Sequence, residues 1–244
     1  MKRRLHRGFT RTLILLLCLG LSSAQAALVL DRTRVIYHQG MQSVSITVTN
    51  KSTLPYVAQS WIEDSAGKKI IAPFLALPPL QRVEAGDRNI VRVTLLPNSA
   101  LPQDRESVFY LNIREIPPKT DRPNALQIAL HSKIKLFYRP DSVIPPRGEN
   151  NAAKLTITTQ ATQLTIKNTT PLHVTLVGIA VGEGKSPLEF DAKMLAPGES
   201  LVVPTHRVIS GRIYLSHMND YGGQQDTAYN CSGSLCSSQD KQRS

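Results

Sequence analysis

Ser43-Val44-Ser45-Ile46-Thr47-Val48-Thr49-Asn50 alternates polar and apolar side chains without a break. A period of two puts Val44, Ile46 and Val48 on one face and the serines and threonines on the other, the pattern of a half-buried β-strand. β-Branched residues fill the run, and Asn50-Lys51-Ser52 ends it with turn chemistry. The alternation returns at Val91, Val93 and Leu95 against Arg92 and Thr94, at Leu155 and Ile157, and at Leu164 and Ile166. Ala66-Gly67, Ala85-Gly86, Pro97-Asn98 and Pro197-Gly198 punctuate these runs as turns. No capped amphipathic helix of three or more turns stands out. The predicted class is all-β.

A weak internal echo divides the chain. Thr47-Val48-Thr49-Asn50 followed by Leu54-Pro55-Tyr56-Val57 is repeated as Thr165-Ile166-Lys167-Asn168 followed by Thr170-Pro171-Leu172-His173-Val174. Val83-Glu84-Ala85-Gly86 likewise matches Leu195-Ala196-Pro197-Gly198. The offsets are 118 residues for Asn50 and Asn168, and 112 for Gly86 and Gly198. Two β-sandwiches of about 100 residues each fit this spacing. Pro140 to Asn151, with Pro145-Pro146 and Gly148, is the expected hinge. The expected domains are 27–145 and 146–237, with a polar tail over 238–244.

Of 244 residues 41% are apolar and 19% charged, enough for ordinary cores and too little charge for a disordered chain. The longest apolar run, Leu13 to Leu21, is half the roughly 20 residues of a spanning helix, so the protein is not membrane-embedded. Lys2, Arg3, Arg4, Arg7 and Arg11 precede that run and Ala24-Gln25-Ala26 follows it, the parts of a secretory signal peptide over 1–26. Cleavage after Ala26 removes five basic residues and lowers the net charge from +11 to +6. So mild an excess does not call for nucleic acid. Cys18 leaves with the leader. Cys231 and Cys236 remain, and in an oxidising exported compartment they read as a local disulfide. Two cysteines without CxxC spacing or an adjacent histidine pair do not make a zinc site.

The search for catalytic chemistry finds little. There is no G-x-S-x-G elbow, no H-E-x-x-H helix and no P-loop. His38, His131, His173, His206 and His217 are scattered without ligand spacing, and Asp104 with Glu106 reads more simply as salt-bridging residues than as an acid/base pair. No enzyme activity, metal or cofactor is expected. Two other classes stay open at this point. A secreted two-domain adhesin or ligand-binding sandwich should carry sugar-binding aromatics, and Trp61 is the sole tryptophan. A hydrolase with an unrecognised site should turn over a substrate panel.

The segment Leu101-Pro-Gln-Asp-Arg-Glu-Ser-Val-Phe-Tyr-Leu-Asn-Ile-Arg-Glu-Ile-Pro117 is more specific. With its D-R-E-S, its aromatic, its N-I and its closing I-P, it resembles the signature of the periplasmic pilus-assembly chaperones of chaperone–usher systems. The resemblance extends to Leu30-Asp31-Arg32-Thr33-Arg34, Leu54-Pro55-Tyr56, Pro78-Pro79-Leu80-Gln81-Arg82 and Gln127-Ile128-Ala129-Leu130. It continues through Lys133-Ile134-Lys135-Leu136-Phe137-Tyr138-Arg139-Pro140 and Asn219-Asp220-Tyr221-Gly222-Gly223, in the same order. It implies two immunoglobulin-like domains with a cleft between them, and a periplasmic protein that binds, folds and caps pilus subunits before an outer-membrane usher receives them. It also implies donor-strand complementation, in which the chaperone lends a strand to an incomplete subunit.

By this resemblance Leu126, Ile128 and Leu130 form the donor face, Arg34 and Lys135 anchor the subunit's terminal carboxylate, and Glu106, Arg139 and Asp220 form an interdomain ionic network. Cys231 and Cys236 match the second domain's disulfide. The short, proline-bearing segment between Ile116 and Leu126 resembles the branch that serves rod-like pili. Physically, an apolar face at period two suits strand pairing, and weak self-association of the free chain through it is a further expectation. Periodicity alone favours a face packed into the chain's own core, and the resemblance reverses that preference. Lys135 has opposite parity to Leu126, Ile128 and Leu130, which a bulge or strand twist is one way to reconcile. Mass analysis after alkylation without reductant should find neither Cys231 nor Cys236 labelled in exported protein, and two labelled thiols would contradict the bridge.

Overall fold

A computed structural model describes residues 26–120, 124, 126–205 and 208–239. The expected leader lies outside these residues apart from Ala26, as does most of the expected tail. Ser238, assigned above to that tail, instead pairs with Tyr229 at the end of the last strand and is buried.

Two β-sandwiches follow one another. In the first, β1 (Leu28–Leu30), β3 (Val44–Asn50), β8 (Arg88–Leu95) and β6 (Phe74–Leu77) form one sheet in that order. The facing sheet runs β2 (Arg34–His38), β10 (His131–Arg139), β9 (Ser107–Ile116), β4 (Tyr56–Glu63) and β5 (Lys69–Ile70), with β7 (Leu80–Val83) also on β4. Alternation decides what enters the core: Ile46 and Val48 of β3, Leu111 and Ile113 of β9, and Leu136 and Tyr138 of β10 are buried. Tyr37, Phe74 and Phe109 meet edge to face, with ring centroids 5.1 and 5.2 Å apart. Each such side chain contributes about 1.5–3 kcal/mol by leaving water.

The second sandwich is one continuous sheet wrapped over its core, in the order β14 (Ser186–Pro187), β13 (Val174–Val181), β17 (Gly211–Met218), β18 (Gln224–Ser232), β19 (Leu235–Ser238), β11 (Thr156–Gln160), β12 (Gln163–Lys167) and β16 (Ser200–Pro204). β15 (Lys193–Leu195) pairs with β13. Cys231 and Cys236 are cross-strand partners in the β18–β19 hairpin and are bonded to each other. The described helices are two 3-10 turns, Asp141–Val143 and Asn151–Lys154.

The internal echo has a structural cause. Asn50 and Asn168 are both fully buried, and each side-chain amide ties a strand end to a loop and to a second strand. Asn50 Nδ2 donates to Leu54 O at 2.8 Å and Val83 O at 3.0 Å, while Asn168 Nδ2 donates to Leu172 O at 2.7 Å and Leu195 O at 3.0 Å. The backbone N–H groups of Ser52 and Thr170 donate to the two Oδ1 atoms in the same way. Asn is the side chain that donates and accepts at once at this reach, so the residue recurs where the chain makes the same corner.

Ion pairs join the two sandwiches. Arg139, the last residue of β10, donates from Nε to Glu106 at 2.9 Å and from Nη1 and Nη2 to Asp220 at 2.6 and 2.9 Å. The other Glu106 oxygen accepts from the His173 backbone and from its Nδ1, both at 2.9 Å. Burial works against the Arg139 charge, but Asp220 and Glu106 outweigh it and hold the guanidinium above its ordinary range. Burial likewise works against the Asp220 charge, yet Arg139 holds the carboxyl below the usual aspartate range. A depressed carboxylate contributes stability above its unfolded pKa, and that contribution is lost as pH falls through the folded value. Beside this site an added Cβ on Gly222, at φ +84°, would lie 2.2 Å from Thr33 Oγ1, so only glycine lets the β17–β18 turn approach the first sandwich this closely. Arg139→Met is expected to cost about 3–5 kcal/mol, because Glu106 is left buried without its cation. Asp220→Asn, at a half-exposed carboxylate, should cost less than about 1 kcal/mol. Urea unfolding of both variants checks this, and equal losses would contradict the asymmetry.

Candidate functional site

β10 has two chemically different faces. Its even residues, Leu136 and Tyr138, enter the first core. Its odd residues, Lys133, Lys135, Phe137 and Arg139, face away from that core, with Arg139 and Phe137 turned towards the second sandwich. β2 runs parallel to β10 in the register Lys135↔Arg34, Phe137↔Ile36 and Arg139↔His38. Two cations therefore stand side by side on adjacent strands, about 4.8 Å apart at the backbone.

The Arg34–Lys135 pair lacks an anion. Both side chains are half-buried, and among the described residues neither has a carboxylate within salt-bridge distance. Arg34 Nε is buried without a hydrogen-bond partner. Burial pulls the Lys135 pKa down and the neighbouring Arg34 charge pulls it further. Burial also lowers Arg34, against the more distant pull of Asp220 and Glu106. Four residues along the same strand, Arg139 has two carboxylates; Lys135 has none. A carboxylate placed between Arg34 and Lys135 would receive charge-assisted hydrogen bonds and relieve their repulsion.

The Lys135 parity needs no bulge. Pairing of β10 with β9 runs unbroken from His131↔Arg114 to Tyr138↔Ser107. Leu126, Ile128 and Leu130 keep the parity of the core-facing residues but lie upstream of the point where the ladder stops. They are 87%, 65% and 44% exposed. Opposite parity is thus what the arrangement requires, with one face for the cleft and the other prolonged past the chain's own core. In the unbound chain residues 126–130, expected as the donor strand, precede β10 and are not paired as a strand. β10 begins at His131, and the last ladder-like bond upstream is from Glu115 N to Leu130 O.

Sequence reading missed several neighbours. His173 carries no local signal, because its partner Glu106 lies 67 residues away across the domain junction, yet it closes the Glu106 network. Trp61, His131 and Arg114 stack on the same outer face as Lys135, with Trp61 and His131 centroids 5.0 Å apart and the Arg114 guanidinium 5.6 Å from the Trp61 ring. Period-two parity of Trp61 within β4 was the available signal for that face.

Residues 27–144 match the family described as "Pili and flagellar-assembly chaperone, PapD N-terminal domain", and residues 150–229 match "Pili assembly chaperone PapD, C-terminal domain". The chain is 42% identical to the chaperone protein PapD of Escherichia coli, over 89% of this chain and 92% of that one. It is 38% identical to the chaperone protein PmfD of Proteus mirabilis, over 88% and 87% of the two chains. Among solved structures, the YadV chaperone superposes with a TM-score of 0.70 at 29% identity, covering 84% of this chain and 100% of that one. The Salmonella enterica SafB chaperone complex with SafA pilin gives a TM-score of 0.72 at 27% identity, covering 86% of this chain and 99% of the matched chain. The two sandwiches are accordingly immunoglobulin-like domains, and the chain belongs to the PapD family of pilus-assembly chaperones.

Proposed function

We propose that this protein captures incomplete pilus subunits in the periplasm, supplies residues 126–130 as their missing strand, and passes them to an outer-membrane usher without ATP or catalysis. One observation carries this reading: β10 and the segment leading into it hold a solvent-exposed apolar ridge and, five residues beyond Leu130, an unneutralised cation pair. A subunit strand whose terminal carboxylate sits on Arg34 and Lys135 runs back along β10 and brings its groove over Leu126, Ile128 and Leu130. The carboxylate sets the register, and a slip of one residue would turn every donor side chain away from the groove. The Arg139–Glu106–Asp220 network acts as the brace that keeps the second domain clear of this path. That the SafB chaperone is seen in complex with SafA pilin supports the subunit as the occupant. Recovery of this protein from periplasm with identification of the bound polypeptide is the direct test. Recovery with no pilus subunit bound, under conditions where its pili are made, would count against the reading.

Two variants separate binding from stability. The depressed Lys135 pKa means that the folded state bears a cost which is full below the folded pKa and is relieved as pH rises towards the ordinary lysine value. Lys135→Met should therefore melt no lower than wild type yet lose at least tenfold in affinity for the subunit. Because the bound carboxylate favours the protonated lysine, wild-type affinity should also fall as pH rises through the lowered pKa. A Lys135→Met variant that binds as wild type would remove the anchor role.

Ile128→Glu tests the donor face. In a core, an unpaired carboxylate would unfold the domain. At a residue 65% exposed it should shift stability by no more than about 0.5 kcal/mol, while the complex fails because the charge has no partner in an apolar groove. A thermal melt and a subunit pull-down on one preparation decide this. A variant that melts early, or one that binds normally, overturns the assignment.

A further inference from the structure

Glu115 is a carboxylate on the core side of β9, in phase with Phe109, Leu111 and Ile113, and it is only 5% exposed. Among the described residues no cation lies within salt-bridge distance of it. Its two oxygens accept from backbone amides at opposite ends of the first domain. Oε2 accepts from Leu28 N at 2.9 Å, at the start of β1. Oε1 accepts from Leu130 N at 3.3 Å, the residue immediately before β10.

This arrangement interrupts a ladder at a defined residue. After His131↔Arg114 the next antiparallel pair is Leu130↔Glu115, which in a regular ladder exchanges both backbone hydrogen bonds. Half of that exchange is made: Glu115 N donates to Leu130 O at 3.0 Å. The return bond goes astray, because Leu130 N donates to the Glu115 side chain in place of the Glu115 carbonyl. Upstream of this point residues 126–129 make no ladder with β9.

We propose that Glu115 is a positioning residue that ends the β9–β10 ladder at His131, sets where the donor segment starts, and ties that boundary to β1. The inference rests on the donor reading above and deepens it. The donor ridge and the carboxylate anchor must be a fixed distance apart for one subunit strand to satisfy both. From Leu130 to Lys135 that distance is five residues, about 17 Å of strand. A clamp on the Leu130 amide fixes the upstream end of this ruler, as β2 pairing fixes the downstream end. Tying the same carboxylate to Leu28 makes the first strand part of the mount that holds the donor segment.

Glu115→Gln is the test, since it keeps the shape but leaves one carbonyl oxygen for two amides. Amide hydrogen exchange on the free protein should accelerate at least tenfold at Leu28, Leu130 or both, with the Leu215 amide in the second domain unchanged. Capture of the subunit identified by co-purification should weaken about tenfold. A short peptide with a free C-terminal carboxylate, which engages Arg34 and Lys135 alone, should bind as it does to wild type. Glu115→Asp keeps both oxygens but withdraws them by one methylene, and provides the same readouts if the Gln variant does not fold. Unchanged exchange at both amides overturns the clamp. Faster exchange with undiminished subunit capture overturns its role in positioning. If wild type itself captures no subunit, the donor reading fails, while the exchange measurement still decides whether Glu115 fixes the ladder's end.

Discussion

β10 is longer in purpose than the sheet that holds it, and most of the molecule's chemistry follows from that mismatch. At its downstream end the strand lies between β9 and β2 and is bonded on both edges. At its upstream end the ladder stops while the apolar alternation continues, so three large side chains reach solvent with no core of their own to enter. An exposed apolar ridge beside unpaired backbone is a liability in an ordinary sandwich, because it invites pairing with any available edge. Here its downstream limit lies where Leu130 N donates to the Glu115 carboxylate.

The cleft face of the same strand shows the corresponding electrostatic contrast. Arg139 and Lys135 are four residues apart and point the same way, but their surroundings differ in sign. Glu106 and Asp220 surround Arg139 closely enough to outweigh the cost of its burial. Lys135 is left with burial and a neighbouring guanidinium, both unfavourable to its charge. A folded protein selected for stability alone would place a carboxylate or an apolar side chain there, since buried unpaired charge is among the costlier features a fold can carry. The cost is tolerable because half of each side chain remains hydrated, and a carboxylate bound as proposed would recover it.

Much of this was legible in the sequence, for reasons that differ by residue. The strands of both sandwiches follow from local alternation, and the Asn50 and Asn168 corners follow from a motif repeated at nearly constant spacing. The site residues came from resemblance, since an isolated arginine and lysine carry no signal of their own. What stayed illegible depends on distant partners. Parity alone set Lys135 against the donor residues, and only the parallel pairing with β2 shows that Arg34 shares the face of Lys135. Glu115 lies inside the motif-rich segment, but its meaning depends on amides 87 residues before it and 15 after it, which no local pattern connects.

On the proposed donor reading, the repeated architecture also explains why only the first domain would lend a strand. In the first sandwich β9 and β10 are consecutive antiparallel strands, and the connection between them runs from Pro117 to Leu130. In the second, β17 pairs with β13 as β9 pairs with β4, so β17 and β18 are the corresponding consecutive pair, and only the five residues 219–223 separate them. A five-residue turn leaves little chain to spare, and β18 runs on into a two-residue hairpin with β19 that the disulfide between Cys231 and Cys236 closes. β19 then pairs with β11 on its far edge, so its backbone is satisfied within the domain. The first domain has the opposite arrangement: a long connection, a strand that outruns its neighbour, and a side-chain carboxylate where the ladder's next hydrogen bond would have formed. On the proposed reading, the difference between a closed domain and a donor domain is carried by the length of one loop and by what terminates one ladder, while the two cores are built by the same rules.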